Sequence, residues 1–201
     1  MLKNSGESRE RGPRNRPADL YRFSWFFYLF LAIAGAIWLG LEGGRIPPAL
    51  FWDTETWWRD LGLGLAGAVL LLGLWGLARR LLPSARLLET RLAEILGPVS
   101  ATEALALAFL SGTAEELFFR GAVQSVWGPL PAAALFALLH AGPGKEFRLW
   151  TLFAAVAGLV LGGLVLWSGN LLAAMVTHFL VNAVGLVRTG QRAREAETKG
   201  C

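Results

Sequence analysis

The sequence predicts an all-α, polytopic membrane bundle of about six transmembrane helices, and three observations carry that prediction. Hydrophobic residues fill 54% of the 201 positions and charged residues only 17%, against roughly 25% charged in soluble domains. The apolar residues gather into runs of membrane-spanning length. The 24 glycines and 9 tryptophans fit the use of Gly inside membrane helices and of Trp at membrane interfaces. The single cysteine, Cys201, excludes an intramolecular disulfide, so the fold needs no oxidising compartment.

Residues 1–19 are polar and rich in Arg, Gly and Pro; they cannot bury a core and are predicted disordered. The bundle is expected over 20–188. Its first apolar run, about 23–41 ("FSWFFYLFLAIAGAIWLGL"), is too long for a signal-peptide core and lacks a cleavage site, so it reads as the first span. A polar, Trp-bearing loop leads to helix two, about 61–78. In the segment that follows, Leu87, Leu88, Leu92, Ile95 and Leu96 recur at helical spacing against Arg86, Glu89, Arg91 and Glu94. That is the pattern of an amphipathic helix on the membrane surface, ended by Gly97-Pro98. Helix three is expected over about 101–125, opened by a capping box from Ser100 and Glu103. Helix four, about 130–141, is short for a span and takes Pro131 in its first turn. Helix five runs about 149–167, and Asn170 can cap helix six, about 171–188. Residues 189–201 form a polar tail.

The net charge of +4 is a matter of orientation rather than of nucleic-acid binding. An alternating layout places both termini, 79–100 and 142–148 on one side. That side holds sixteen of the 19 Lys and Arg, the other holds Arg45 and Arg59, and Arg120 alone lies inside a span. The excess marks the inner face, giving N-in and C-in. The partners expected are the lipid bilayer and a membrane-associated substrate, not nucleic acid.

The chemistry lies in the last four helices. "GTAEELFFR" puts Glu115, Glu116 and Arg120 among apolar residues. Each charge at the centre of a span costs about 2.5–3.5 kcal/mol, so three unpaired ones would cost on the order of 8–10 kcal/mol. Glu116 and Arg120, four apart, can pair on one helical face. Glu115 sits about 100° round the helix and needs another partner or a watery cavity. The only two histidines lie in apolar helices: His140 with Phe136 one turn before it, and His178 with Asn182 one turn after. Phe136 and Asn182, taken singly, read as packing groups, and each His singly as an interhelical hydrogen bonder. Together, a carboxylate, two His and an Asn are the parts of a hydrolytic site. A carboxylate takes a proton from water, a His orients that water, and a His–Asn pair donates to an oxyanion. The same Glu115, His140 and His178 are also a ligand set for a divalent ion such as zinc, and spacing does not choose between the two. Other hydrolase signatures are missing: there is no HExxH, no GxGD, and Ser111 stands in "LSGT" rather than GxSxG, so it reads as a hydrogen-bonding group.

The motifs "EELFFR" (115–120), "FALLH" (136–140) and "HFLVN" (178–182) resemble, in order and on successive helices, those of the CAAX-protease and bacteriocin-processing family, also called type II CAAX prenyl endopeptidases or Abi proteins. The resemblance covers roughly 100–188. It implies a glutamate-dependent intramembrane protease of a bacterial cytoplasmic membrane. Glu115 would be the general base, His140 a holder of the water, His178 and Asn182 the oxyanion site, and Glu116 and Arg120 the brace. Two other classes compete with it: a non-catalytic scaffold or bacteriocin-immunity protein, and an ion or metal transporter. Transport is disfavoured by the lack of an internal repeat and of matched broken helices.

Overall fold

The computed structural model describes residues 16–43 and 46–199; the first fifteen residues of the basic N-terminal segment, Arg45 and Cys201 lie outside that description. Among the described residues there are seven helices and no strand. The helices are α1 (Arg16–Gly43), α2 (Trp57–Leu81), α3 (Pro83–Leu96), α4 (101–127), α5 (Pro129–Leu139), α6 (Phe147–Ser168) and α7 (Leu172–Lys199), with a 3-10 turn at Pro48–Leu50.

Four stretches are long and apolar enough to cross a membrane: Leu20–Gly43, Trp57–Leu81, Phe147–Ser168 and Leu172–Lys199. A fifth is added if α3 and α4, bent by 104° at the Gly97–Ser100 break, form one broken span. Of the about six spans read from the sequence, two, α4 and α5, do not meet that length and composition alone, for physical reasons. Helix α4 is long enough, but Glu115, Glu116 and Arg120 fill its middle. Helix α5 has only 11 residues, about 17 Å at 1.5 Å per residue, too short for a hydrocarbon core of about 30 Å. The polar segment after 188 also differs from the expected tail. It continues α7 to Lys199, with Thr189, Gly190 and Ala193 buried and Arg194 donating to the Val99 carbonyl at 2.8 Å.

The predicted caps form. Ser100 Oγ accepts from Glu103 N–H (3.2 Å) while Glu103 Oε2 accepts from Ser100 N–H (2.9 Å), and Asn170 Oδ1 accepts from Leu172 N–H at 2.9 Å. Pro129 and Pro131 both fall in the first turn of α5. Amphipathic α3 turns Ala85, Leu88 and Ala93 into the bundle and leaves Leu87 and Ile95 exposed.

Polar contacts separate the two ends of the bundle. At one end, Glu89 on α3 takes Arg79 of α2 (2.9 Å) and Arg192 of α7 (2.7 Å), tying together segments that the charge pattern assigns to one side. At the other, buried Asp60 accepts from Arg59 Nη2 (2.7 Å) and Asn170 Nδ2 (2.6 Å), while Leu171 N–H reaches the Leu50 carbonyl at 2.8 Å. Between the ends, α7 is the central helix. It packs on α2, where Thr177 Oγ1 donates to the Gly64 carbonyl at 2.8 Å, and on α4, where the polar groups gather.

Candidate active site

The contact between α4 and α7 builds the site. Ser111 and Glu115 stand one turn apart on α4, and His178 and Asn182 one turn apart on α7, so the two pairs meet as successive rungs. Asn182 Nδ2 donates to Ser111 Oγ at 2.8 Å; one turn along, His178 Nε2 lies 4.0 Å from Glu115 Oε2. Gly112 permits this approach: a Cβ there would sit 3.1 Å from the Phe179 amide nitrogen and 3.4 Å from its Cα, both backbone atoms that cannot rotate away. Gly112→Ala is therefore expected to force the helices apart and destabilise the fold by about 1–3 kcal/mol, as overpacking does, seen as a lower thermal unfolding midpoint in detergent.

The helical hydrogen bonding widens where the charges sit. Helix α4 is α-helical over Ala101–Glu115, a π-helix over Glu116–Val123, and α-helical again over Gln124–Trp127. Such insertions are uncommon and often occur at functional sites. Here, Glu116 Oε1 bonds both Arg120 Nη1 (3.1 Å) and His178 Nδ1 (2.7 Å), so the pair expected from the spacing forms and also holds a catalytic candidate. Arg120 Nη2 then donates to the Gly158 carbonyl (3.3 Å) and, one turn on, Gln124 Nε2 to the Gly162 carbonyl (3.0 Å). The two bonds step together along α4 and α6 and lock them in register. Arg120 also lies 4.4 Å over the Phe136 ring, a cation–π contact.

His140 caps α5. Its Nδ1 lies 2.8 Å from the Phe136 carbonyl oxygen. A carbonyl only accepts, so Nδ1 carries the hydrogen and the neutral ring keeps Nε2 as an acceptor. Phe136 is the common neighbour, with ring centroids 4.4 Å from His140, 5.9 Å from His178 and 5.2 Å from Phe119. It fixes the imidazoles by packing, as its sequence context suggests. All four catalytic candidates, Glu115, His140, His178 and Asn182, line one cavity of about 470 Å³, which extends past Leu92 and Leu96 to Arg188 and Arg192. The cavity thus runs from the buried carboxylates to the end of the bundle where Glu89 and its arginines lie.

Glu115 is 5% exposed, and its Oε2 has no hydrogen-bond donor on the protein. The alternative metal set is not drawn together: among the described residues, no three of His, Cys, Asp and Glu form a group able to hold an ion. Two participants are absent from the sequence reading. Tyr28, on α1, lines the cavity together with Ser111 and Glu115. The available signal was that Tyr28 is one of two tyrosines in the chain and falls mid-span. Gln124, a lone amide in an apolar run, was legible on the same grounds. Ser111 keeps the role expected of it, donating to the Ala108 carbonyl at 3.2 Å while accepting from Asn182.

Residues 97–184 match the family model for the type II CAAX prenyl endopeptidase Rce1-like proteins, and that stretch contains every catalytic candidate. The chain is also 38% identical over 80 residues to the uncharacterized protein YpbD of Bacillus subtilis, an alignment covering 39% of this chain and 41% of that protein. The chain therefore aligns with less than half the length of that relative. No solved structure matches it.

Proposed function

We propose that this chain, whose residues 97–184 match the Rce1-like family model, is an intramembrane endopeptidase that hydrolyses a peptide bond of a membrane-associated protein or peptide with a glutamate-activated water. The observation that carries this reading is the unpartnered Glu115 Oε2, aimed into a cavity 4.0 Å from His178 Nε2. That gap is too long for a direct hydrogen bond and suits a water held between the two.

In this mechanism Glu115 takes one proton from the water as its oxygen attacks the peptide carbonyl carbon. The Nε2 acceptor of His140 takes the water's second hydrogen as a hydrogen bond. The carbonyl π electrons move to oxygen, and the oxyanion is met by donors. Asn182 has two amide hydrogens, one spent on Ser111 and one left for the oxyanion. His178 supplies the other donor when both ring nitrogens carry hydrogen. Collapse of the tetrahedral intermediate expels the amine, and Glu115 returns the proton to it. Glu116 holds His178 in orientation through Nδ1, and Arg120 holds Glu116.

The basic end of the bundle is proposed to face the cytoplasm, with N-in and C-in orientation in a bacterial membrane, so the cavity would admit substrate from that side. The test is cleavage of internally quenched peptides by the purified protein, one carrying an S-prenylated cysteine near its C-terminus and one lacking the prenyl group. Cleavage of either that persists under a strong chelator supports water activated by Glu115. Loss restored by added zinc would assign the reaction to a metal instead. In the same assay Tyr28→Phe, which removes a hydroxyl from the cavity wall, is expected to lower kcat about ten-fold with KM unchanged, the scale of one hydrogen bond formed to the reacting groups. An unchanged kcat would remove Tyr28 from the site.

A further inference from the structure

A second cleft opens between the last turn of α2 and the middle of α7, with a volume of about 380 Å³, lined by Leu72, Gly76, Arg79, Arg80 and Arg188. Its charge is unbalanced. The carboxylate in this corner, Glu89, is already shared by Arg79 and Arg192 and also accepts from Trp75 Nε1 at 2.9 Å. Arg80 and Arg188, which line the cleft with Arg79, have no hydrogen-bonded or ion-pair partner among the described residues. The carbonyl oxygens at the C-terminus of α2 would ordinarily repel an anion. Here Arg86 Nη1 covers them, donating to the Arg79 carbonyl at 2.9 Å and towards that of Arg80 at 3.4 Å. The cleft is thus an anion site with its opposing dipole already masked.

The lower wall changes character within one turn. Below Arg79 and Arg80 come Gly76 and Leu72, and a Cβ at either Gly73 or Gly76 would meet nothing within 4 Å. Further down the same face of the helix the surface stays apolar and exposed, at Val69 and Leu65. A ligand that fits has a compact anionic head for Arg80 and Arg188 and an apolar tail for the groove beneath. Basic pockets between spans at the inner face take phosphorylated lipid heads in this way.

We propose that this cleft is a binding site for one anionic phospholipid, its phosphate held by Arg80 and Arg188 and one acyl chain lying along α2 past Gly76 and Leu72. Arg188 also lines the wall of the catalytic cavity, so the bound lipid head stands at the cavity's entrance. The site does not depend on the chemistry proposed for Glu115.

The experiment uses the full chain in a neutral detergent, titrated with phosphatidylglycerol or phosphatidylcholine and read by native mass spectrometry. One phosphatidylglycerol is expected to be retained in preference to phosphatidylcholine. Each of Arg80→Gln and Arg188→Gln should weaken that retention about five-fold, the effect of one interfacial basic residue, and Arg148→Gln, an arginine elsewhere on the same side, should leave it unchanged. Equal retention of the two lipids would overturn the site. So would an equal loss in Arg148→Gln, which would mean generic attraction to the surface. Inorganic phosphate at millimolar concentration is expected not to displace the lipid; binding of phosphate with the same arginine dependence, but of neither lipid, would overturn the assignment to a lipid. Arg80 and Arg188 lie on different helices, so a folding defect in one variant, visible in its unfolding midpoint, leaves the other as a valid reading.

Discussion

A Glu115→Gln protein is expected to accumulate in the membrane at the wild-type level and to lose about 10²–10⁴ of its cleavage rate, the usual contribution of a positioned general base. The substitution keeps the shape of the side chain and an oxygen acceptor, and removes only the ability to take a proton. No protein donor reaches Oε2, so no hydrogen bond to the protein is broken there. Deleting a charge from the interior of a span lowers the cost of inserting it. The measurement is rate per mole of folded enzyme, with membrane abundance determined alongside. Full activity at normal abundance would show that Glu115 is not the base and would favour a scaffold or immunity role.

Arg120→Ala is expected to be the most damaging change to stability. The guanidinium is 3% exposed and makes three contacts at once: the ion pair to Glu116, the bond to the Gly158 carbonyl and the cation–π contact with Phe136. Removing one partner of a buried pair leaves the other charge uncompensated, at a cost of about 3–5 kcal/mol. Glu116 would then lose its counter-ion while still bonded to His178 Nδ1, so activity should fall together with the amount of folded protein. Arg120→Lys, which keeps the charge but not the fork, should restore abundance in part. An Arg120→Ala protein that accumulates normally and cleaves at the wild-type rate would contradict the bracing role.

Much of this organisation can be read from the sequence because charge in a membrane span is costly and therefore informative. Glu115, Glu116, Arg120, His140, His178 and Asn182 stand out against apolar surroundings, and helical spacing alone puts Glu116 with Arg120, Phe136 with His140, and His178 with Asn182. The capping box at Ser100 and the Asn170 cap were legible because each needs only local geometry. The shortness of α5, 11 residues in the structure, was legible too. The 104° bend between α3 and α4 was not, since it follows from tertiary packing. The π-helical turns of Glu116–Val123 leave no trace in residue periodicity, and the bond between His178 Nδ1 and Glu116 joins two helices, which spacing along one helix does not reveal. Tyr28 belongs to the first helix, far in sequence from the motifs, and nothing in its aromatic surroundings ties it to them.

The central claim is that this chain cuts a peptide bond, and the most direct measurement compares the peptide termini in membranes from cells that carry the wild type, Glu115→Gln or no copy of the gene, with the first two matched for abundance. The account predicts at least one new terminus, in a membrane-associated protein or peptide, that is present with the wild type and missing from both of the others. Identical termini in all three, or a boundary produced equally well by Glu115→Gln, would contradict it.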